Sequence, residues 1–192
     1  MENQEKIRKE RAFKSMLMFG IFSIVMLFAG LTSAYIVSKG ALSAENKWDN
    51  IVLPTIFQYS TFVIILSSIV AIFSIRSLKK NNLEESKWYL LCALFFGFLF
   101  SISQFIGWSD LVNAKHFFAG KDSNVAASFI YVLTGVHLAH LVAGLIVFLV
   151  LYFKIRVKKY NLLGFKLGIW FWHFLGILWI YLYAFLIIMT MN

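Results

Sequence analysis

The sequence predicts an all-α integral membrane bundle of five transmembrane helices, with the amino terminus cytoplasmic and the carboxyl terminus outside. Three observations carry this. The 192 residues are 60% hydrophobic and 18% aromatic but only 14% charged, far from the average of soluble domains. Five apolar runs, at about 13–37, 55–75, 88–108, 128–153 and 167–189, are each long enough to cross a hydrocarbon layer. The cations alternate between the connections, so that 14 of the 18 Lys and Arg residues fall on one side. That side holds Lys6, Arg8, Lys9, Arg11 and Lys14, then Arg76, Lys79, Lys80 and Lys87, then Lys154, Arg156, Lys158, Lys159 and Lys166. The other side holds Lys39, Lys47, Lys115 and Lys121. The positive-inside rule makes the richer side cytoplasmic.

With one proline, 11 glycines and no repeat or low-complexity segment, residues 1–192 read as a single membrane domain with short connections. The net charge of +9 lies in loops between apolar spans, so it reports membrane topology and not a nucleic-acid partner. The lone Cys92 can form no internal disulfide, and its apolar surroundings make packing its expected role.

The first run is too long for a signal-peptide core and reads as a retained span. It follows a charged, solvated lead-in that ends near Ala12. Gly20, Ser23, Leu27, Gly30 and Ala34 line one of its faces, a small-residue stripe of the kind that lets another helix approach closely. A polar loop over 38–50 leads to Pro54, which suits the first turn of the second helix because its missing N–H would have no partner there. Ser67 and Ser68 lie at mid-depth, where hydroxyls can bond to their own helix backbone, so they carry little evidence of function. A charged loop over 76–87 precedes the third span, which has Trp88 and Trp108 near its ends as interfacial anchors. Gly97, Ser101, Gln104 and Trp108 share one of its faces. The longest connection, 109–127, carries His116 as a solvated loop histidine. A basic loop over 154–166 separates the last two spans, and Trp172, Gly176, Trp179 and Tyr183 share a face of the fifth.

The fourth span is the most informative. Thr134, His137, Leu141 and Gly144 follow 3-4-3 spacing on one face, with His140 beside them. A polar stripe at membrane depth faces inward, toward other helices, a bound molecule or a partner subunit. Apart from Lys14 at the first entry, the spans contain no Asp, Glu, Lys or Arg. Proton pumps, ion-coupled transporters and voltage sensors rely on such groups, so a pump or small transporter is the least attractive class.

His137, His140 and His173 are the histidines within the spans. His137 and His140 at i, i+3 could share a metal ion, with His173 completing a three-nitrogen site. A haem-binding membrane cytochrome would require opposed histidines on facing helices. Against both stands the lack of any carboxylate in the spans to orient the imidazoles, and hydrogen bonding between helices or contact with lipid headgroups is the simpler reading. Trp172 and Trp179 read as packing and anchoring residues. No nucleotide-binding loop, nucleophile elbow or zinc-hydrolase motif is present.

In their order these motifs resemble subunit III of the haem-copper oxidases, the cytochrome c oxidase family. Thr134-Gly135-Val136-His137-Leu138-Ala139-His140, with Gly144 four residues on, is similar to the family's TGFHGLHVxxG. Trp172-His173-Phe174, then Trp179 and Leu182-Tyr183, is similar to WHFxDxxWxxLY. Phe28-Ala29-Gly30, Pro54, Ser67-Ser68 and Gln104 fall where the family has similar residues, so the likeness covers nearly the whole chain. It is to the five-span form, which lacks the first two of seven spans. The family's membrane-buried glutamate falls at Ile24, and three further acidic positions fall at Gly107, Lys166 and Gly176, so proton-relay roles do not carry over.

The resemblance implies an accessory subunit, without its own redox centre, of a respiratory terminal oxidase in a bacterial cytoplasmic (inner) membrane. Dioxygen would be reduced to water by the complex, with haem and copper in partner subunits. The implied partners are catalytic subunit I, other oxidase subunits and membrane phospholipids, and membership of a larger respiratory supercomplex stays open. A quinol oxidase subunit III and an accessory protein of nitric oxide reductase are the neighbouring alternatives. On this reading no residue is catalytic or binds a metal or cofactor. His137, His140, His173, Trp172, Trp179 and Gln104 are expected lipid or inter-bundle contacts. Lys154, Arg156, Lys158, Lys159 and Lys166 are expected to attract anionic headgroups from the inner face, each by about 1 kcal/mol.

Overall fold

A computed structural model describes residues 2–44, 48, 51–120 and 124–191. Five helices carry the chain: α1 (Glu2–Ala44), α2 (Ile56–Lys79), α3 (Leu83–Asn113), α4 (Val125–Arg156) and α5 (Leu162–Met191). Each contains a stretch long and apolar enough to span a membrane, so the protein is a multi-pass membrane protein. Lys47 and Lys121, counted above among the outer cations, lie outside the described residues, as does the side chain of Lys6.

The helices overrun the apolar runs at nearly every end. The charged lead-in is the first part of α1, where Glu5 and Lys9 pair at 2.7 Å across one turn. The charged loop over 76–87 shrinks to a three-residue turn, because Arg76–Lys79 complete α2 and Leu83–Lys87 open α3. The basic loop over 154–166 likewise shrinks to 157–161. Polar side chains end a membrane span without ending a helix whose backbone bonds continue into the interface. The caps do the stopping: the side chains of Asn82 and Asn124 accept from the N–H groups of Glu85 and Ala127 to start α3 and α4.

Three helices end alike. Asn81, Lys115 and Lys158 sit at φ 59°, 65° and 54°, in the left-handed region. The following N–H groups of Asn82, His116 and Lys159 reach back five residues to Ser77, Leu111 and Lys154 at 2.9–3.0 Å. This is the Schellman arrangement, made here without glycine. Pro54 stands just before the N-cap Thr55 and not inside the first turn of α2; its carbonyl accepts from Phe57 N–H and opens the turn.

α2 packs on α3, α3 on α4, α4 on α5 and α5 back on α2, closing a four-helix ring, while α1 lies against α4 and α5. The α2 seam is Phe57, Ser60, Ile64, Ser67, Ala71, Ser74 and Leu78, a strict 3-4 alternation; Ser86, Leu90, Ala93, Gly97, Phe100, Gln104, Gly107 and Leu111 of α3 face it with the same spacing. Heptad seams of small residues give left-handed, close packing. Ser74 and Ser86 tie the pair reciprocally, each hydroxyl donating to the other's carbonyl at 2.8 and 3.0 Å.

Two expectations about packing are corrected. The stripe of Gly20, Ser23, Leu27, Gly30 and Ala34 faces away from the bundle, and nothing lies within 4 Å of a Cβ built on Gly20 or Gly30. α1 docks through its larger side chains instead, with Phe28 and Tyr35 buried and Thr32 bonding Tyr181 at 3.1 Å. Cys92 is exposed on the outer face of α3 and packs against nothing inward.

Candidate functional site

The interior is built around three indoles, each of which donates its N–H to a hydroxyl on another helix. Trp172 of α5 donates to Ser67 Oγ of α2 at 3.1 Å, and Ser67 in turn donates to the Ala93 carbonyl of α3 at 2.8 Å. Trp179 donates to Thr61 Oγ1 of α2 at 3.0 Å. Trp108 of α3 donates to Thr134 Oγ1 of α4 at 2.9 Å, and Thr134 donates to the Ile130 carbonyl. A buried indole N–H requires such a partner, and each bond fixes the rotation of one helix against another. Ser67 therefore joins three helices instead of bonding its own backbone.

Trp172 is fully buried, its ring seated between two glycines. A Cβ on Gly97 would lie 2.6 Å from Trp172 Cη2, and one on Gly144 would lie 3.1 Å from Cε3 and 2.8 Å from Leu175 Cδ1. Phe148 covers the same indole at 4.6 Å between centroids. The glycines are thus sockets for an aromatic ring and not turn residues.

The face of the fourth span predicted to look inward does so, with Thr134, His137, Leu141 and Gly144 all buried; on the shared face of the third span Gly97, Ser101 and Gln104 are buried and Trp108 is half-buried. The three histidines, however, enter three different surroundings. His137 lies in an aromatic cage, 5.2 Å from the Trp179 ring, 6.0 Å from Phe100 and 6.4 Å from Phe28. Neither of its ring nitrogens has a hydrogen-bond partner among the described residues. His140 is half-buried at the seam with α1, 5.9 Å from Phe28, and its Nδ1 sits 2.8 Å from the Val136 carbonyl; in the neutral ring that nitrogen carries the proton. His173 opens onto a groove between α2 and α5, with Ser68, Ile69 and Gly176. Among the described residues no three His, Cys, Asp or Glu side chains gather as a metal site.

The departures at the acidic positions are built into the packing. Phe57 fills the space beside Gly107, its ring edge standing against the point a Cβ would occupy, so no longer side chain fits without moving that ring. Ser68 Oγ lies 3.1 Å from the corresponding point on Gly176, and Ile24 packs at the edge of the core.

Gln104 donates from Nε2 to Ser60 Oγ at 3.3 Å, while its Oε1 has no partner among the described residues. Leaving a buried polar atom unpaired costs about 1–3 kcal/mol, whereas an apolar group of the same shape avoids that cost. His137→Phe is therefore expected to leave the melting temperature of the detergent-solubilised protein unchanged or raised. A loss above about 2 kcal/mol would mean that the imidazole has a polar role.

The basic residues converge on one end of the bundle. Arg156 of α4 and Lys87 of α3 line one groove there, and Lys14 of α1 and Lys166 of α5 line another. Lys154, Lys158 and Lys159 are exposed at the same end. The glycine–tryptophan sockets and the crossed indole bonds were not readable from single residues. A signal did exist for one part: Ser60, Ser67 and Ser74 recur at seven-residue intervals, the mark of a helix seam.

The profile of the family described as Cytochrome c oxidase subunit III matches residues 3–191. The chain is 29% identical over 185 residues to the cytochrome c oxidase subunit 3 of Thermostichus vulcanus, covering 91% of this chain and 86% of that one. It is 25% identical over 173 residues to the cytochrome c oxidase subunit 3 of Bacillus sp. (strain PS3), covering 86% and 80%. It is 23% identical over 180 residues to a probable cytochrome c oxidase subunit 3 of Rickettsia felis, where it covers 88% of this chain but only 63% of the longer relative.

Proposed function

The chain belongs to the cytochrome c oxidase subunit III family, and from that premise we propose that it is the accessory subunit III of a respiratory haem-copper terminal oxidase. The family match along residues 3–191 is the observation that carries this reading. The interior supports it, because its three indole N–H groups tie helices together and the family's acidic positions are occupied by Ile24, Gly107, Lys166 and Gly176. The chain has no acid in its spans with which to move protons and serves as a rigid, lipid-facing buttress of a catalytic partner that holds the haem and copper.

In this reading the bundle sits in a bacterial cytoplasmic membrane as a single domain, with the amino terminus and the basic end inside. The basic end attracts anionic headgroups, and the half-buried His140 and His173 contact lipid or a neighbouring helix, while His137, Trp172, Trp179 and Gln104 hold the bundle together. The partners are subunit I, the other oxidase subunits and phospholipid.

The test is co-purification in mild detergent from native membranes, with partner identities and oxygen consumption recorded together. A large multi-span haem protein that takes up dioxygen with reduced cytochrome c is the expected result. A quinol requirement would move the assignment to a quinol oxidase, and a nitric oxide reductase partner or no partner would overturn it.

A further inference from the structure

The seam between α2 and α5 is open on its outer side. Ile65, Ser68 and Ile69 of α2 and His173, Gly176 and Ile177 of α5 line a groove there of about 290 Å3, and both sets follow the i, i+3, i+4 spacing of a helix face. Its walls are isoleucine except at Ser68, His173 and Gly176. Gly176 brings the helices close, since a Cβ there would lie 3.1 Å from Ser68 Oγ. Ser67, the neighbour of Ser68, is spent on Trp172 and the Ala93 carbonyl. Ser68 and His173 are half-buried, and neither side chain has a hydrogen-bond partner among the described residues. By helical rise His173 lies about 10 Å from Lys166 and Ser68 about 12 Å from Arg76, so both stand within the hydrocarbon layer, where acyl chains offer nothing to bond. Toward the outer end the same seam opens into a second groove of about 330 Å3, where the side chains of Gln58 and Tyr183 are likewise without partners among the described residues.

We propose that the α2–α5 seam docks one transmembrane helix of another polypeptide, which fills the isoleucine groove and sets a side chain that both donates and accepts, an amide or a protonated carboxyl group, between Ser68 and His173. The assignment rests on the reading of the chain as one subunit of a larger membrane assembly, and goes beyond it by naming the face and the chemistry of what covers it. A neutral imidazole offers one donor and one acceptor and a hydroxyl offers both, so a group with both functions satisfies the pair in either tautomer. A phospholipid keeps its polar atoms at headgroup level and would lay only acyl chain over Ser68 and His173. A helix with apolar side chains alone would fill the groove and leave both groups unpaired. A helix following the seam also passes Tyr183, about 15 Å beyond His173, and meets a second polar level there.

The test places a photoreactive phenylalanine at Ile69 or at Ile177, which are 45% and 66% exposed on opposite walls of the groove, and irradiates the full chain in its native membranes. Both positions are expected to cross-link to one and the same helix of another polypeptide, and that helix to carry an amide or carboxyl side chain level with Ser68. Ser68→Ala and His173→Phe should each weaken retention of the subunit on dilution into detergent about fivefold, the scale of one hydrogen bond between membrane helices. His173→Gln, which keeps a donor and an acceptor, should restore most of the loss.

Cross-links to lipid alone, to a second copy of this chain, or to a helix without a polar side chain at that level would overturn the proposal. So would retention that Ser68→Ala and His173→Phe leave unchanged. If a haem-bearing partner co-purifies while the groove cross-links to no protein, the docking face fails and the reading of the chain as an oxidase subunit stands. If no partner co-purifies and none is cross-linked, both fail.

Discussion

Trp172→Ala is expected to destabilise the protein by about 3–5 kcal/mol, the range for truncating a large, fully buried aromatic side chain. The indole touches three other helices at once: Ser67 of α2, Gly97 of α3, and Gly144 with Phe148 of α4. Those glycines cannot close the gap, because they have no side chain to move into it, so the cavity persists and its wall loses its contacts. Ser67 still donates to the Ala93 carbonyl, so the loss comes from volume more than from an orphaned hydroxyl. Thermal unfolding of the purified complex, followed by loss of this subunit from a sizing column, would read the effect. A variant that melts within about 1 kcal/mol of the parent would show that the ring is not the keystone of the bundle.

Gly97→Ala tests the same contact from the opposite side. Its Cβ would lie 2.6 Å from Trp172 Cη2 and 2.8 Å from Leu145 Cδ2. The leucine methyl swings away, but the indole is held by Phe148 and Ser67, and overpacking of this kind costs about 1–3 kcal/mol. Trp172→Phe withdraws the outer ring, so Gly97→Ala should be better tolerated in that background. A coupling energy of about 1 kcal/mol or more is expected from the double-mutant cycle. Strict additivity would mean that the added methyl meets something other than the indole.

The helices and their inward faces were legible because both are properties of spacing. Thr134, His137, Leu141 and Gly144 occupy one side of any α-helix, and a membrane leaves that polar side nowhere to go but inward. Helix ends were less legible, since Asn81, Lys115 and Lys158 do what glycine usually does and leave no signal. The docking face of α1 was misread for a related reason. A small-residue stripe and a face bearing Phe28 and Tyr35 both follow helical spacing, and spacing alone does not select between them. The candidate site was partly legible. Spacing placed His137 inward, but it could not show that His140 turns back to its own helix or that His173 opens onto another groove. Nor could a serine's residue type tell that Ser67 would join three helices, since its partners are 26 and 105 residues away.

The subunit is proposed to support a haem-copper centre without holding one. The direct test is to purify the oxidase with this chain in place, dissociate the chain under mild conditions, and measure haem and copper in both fractions by visible spectrum and metal analysis. The account predicts that all haem and copper stay with the remaining subunits and that the released chain is colourless and still helical. A Soret band in the released chain, lost on His137→Phe or His173→Phe, would contradict it and make those histidines ligands.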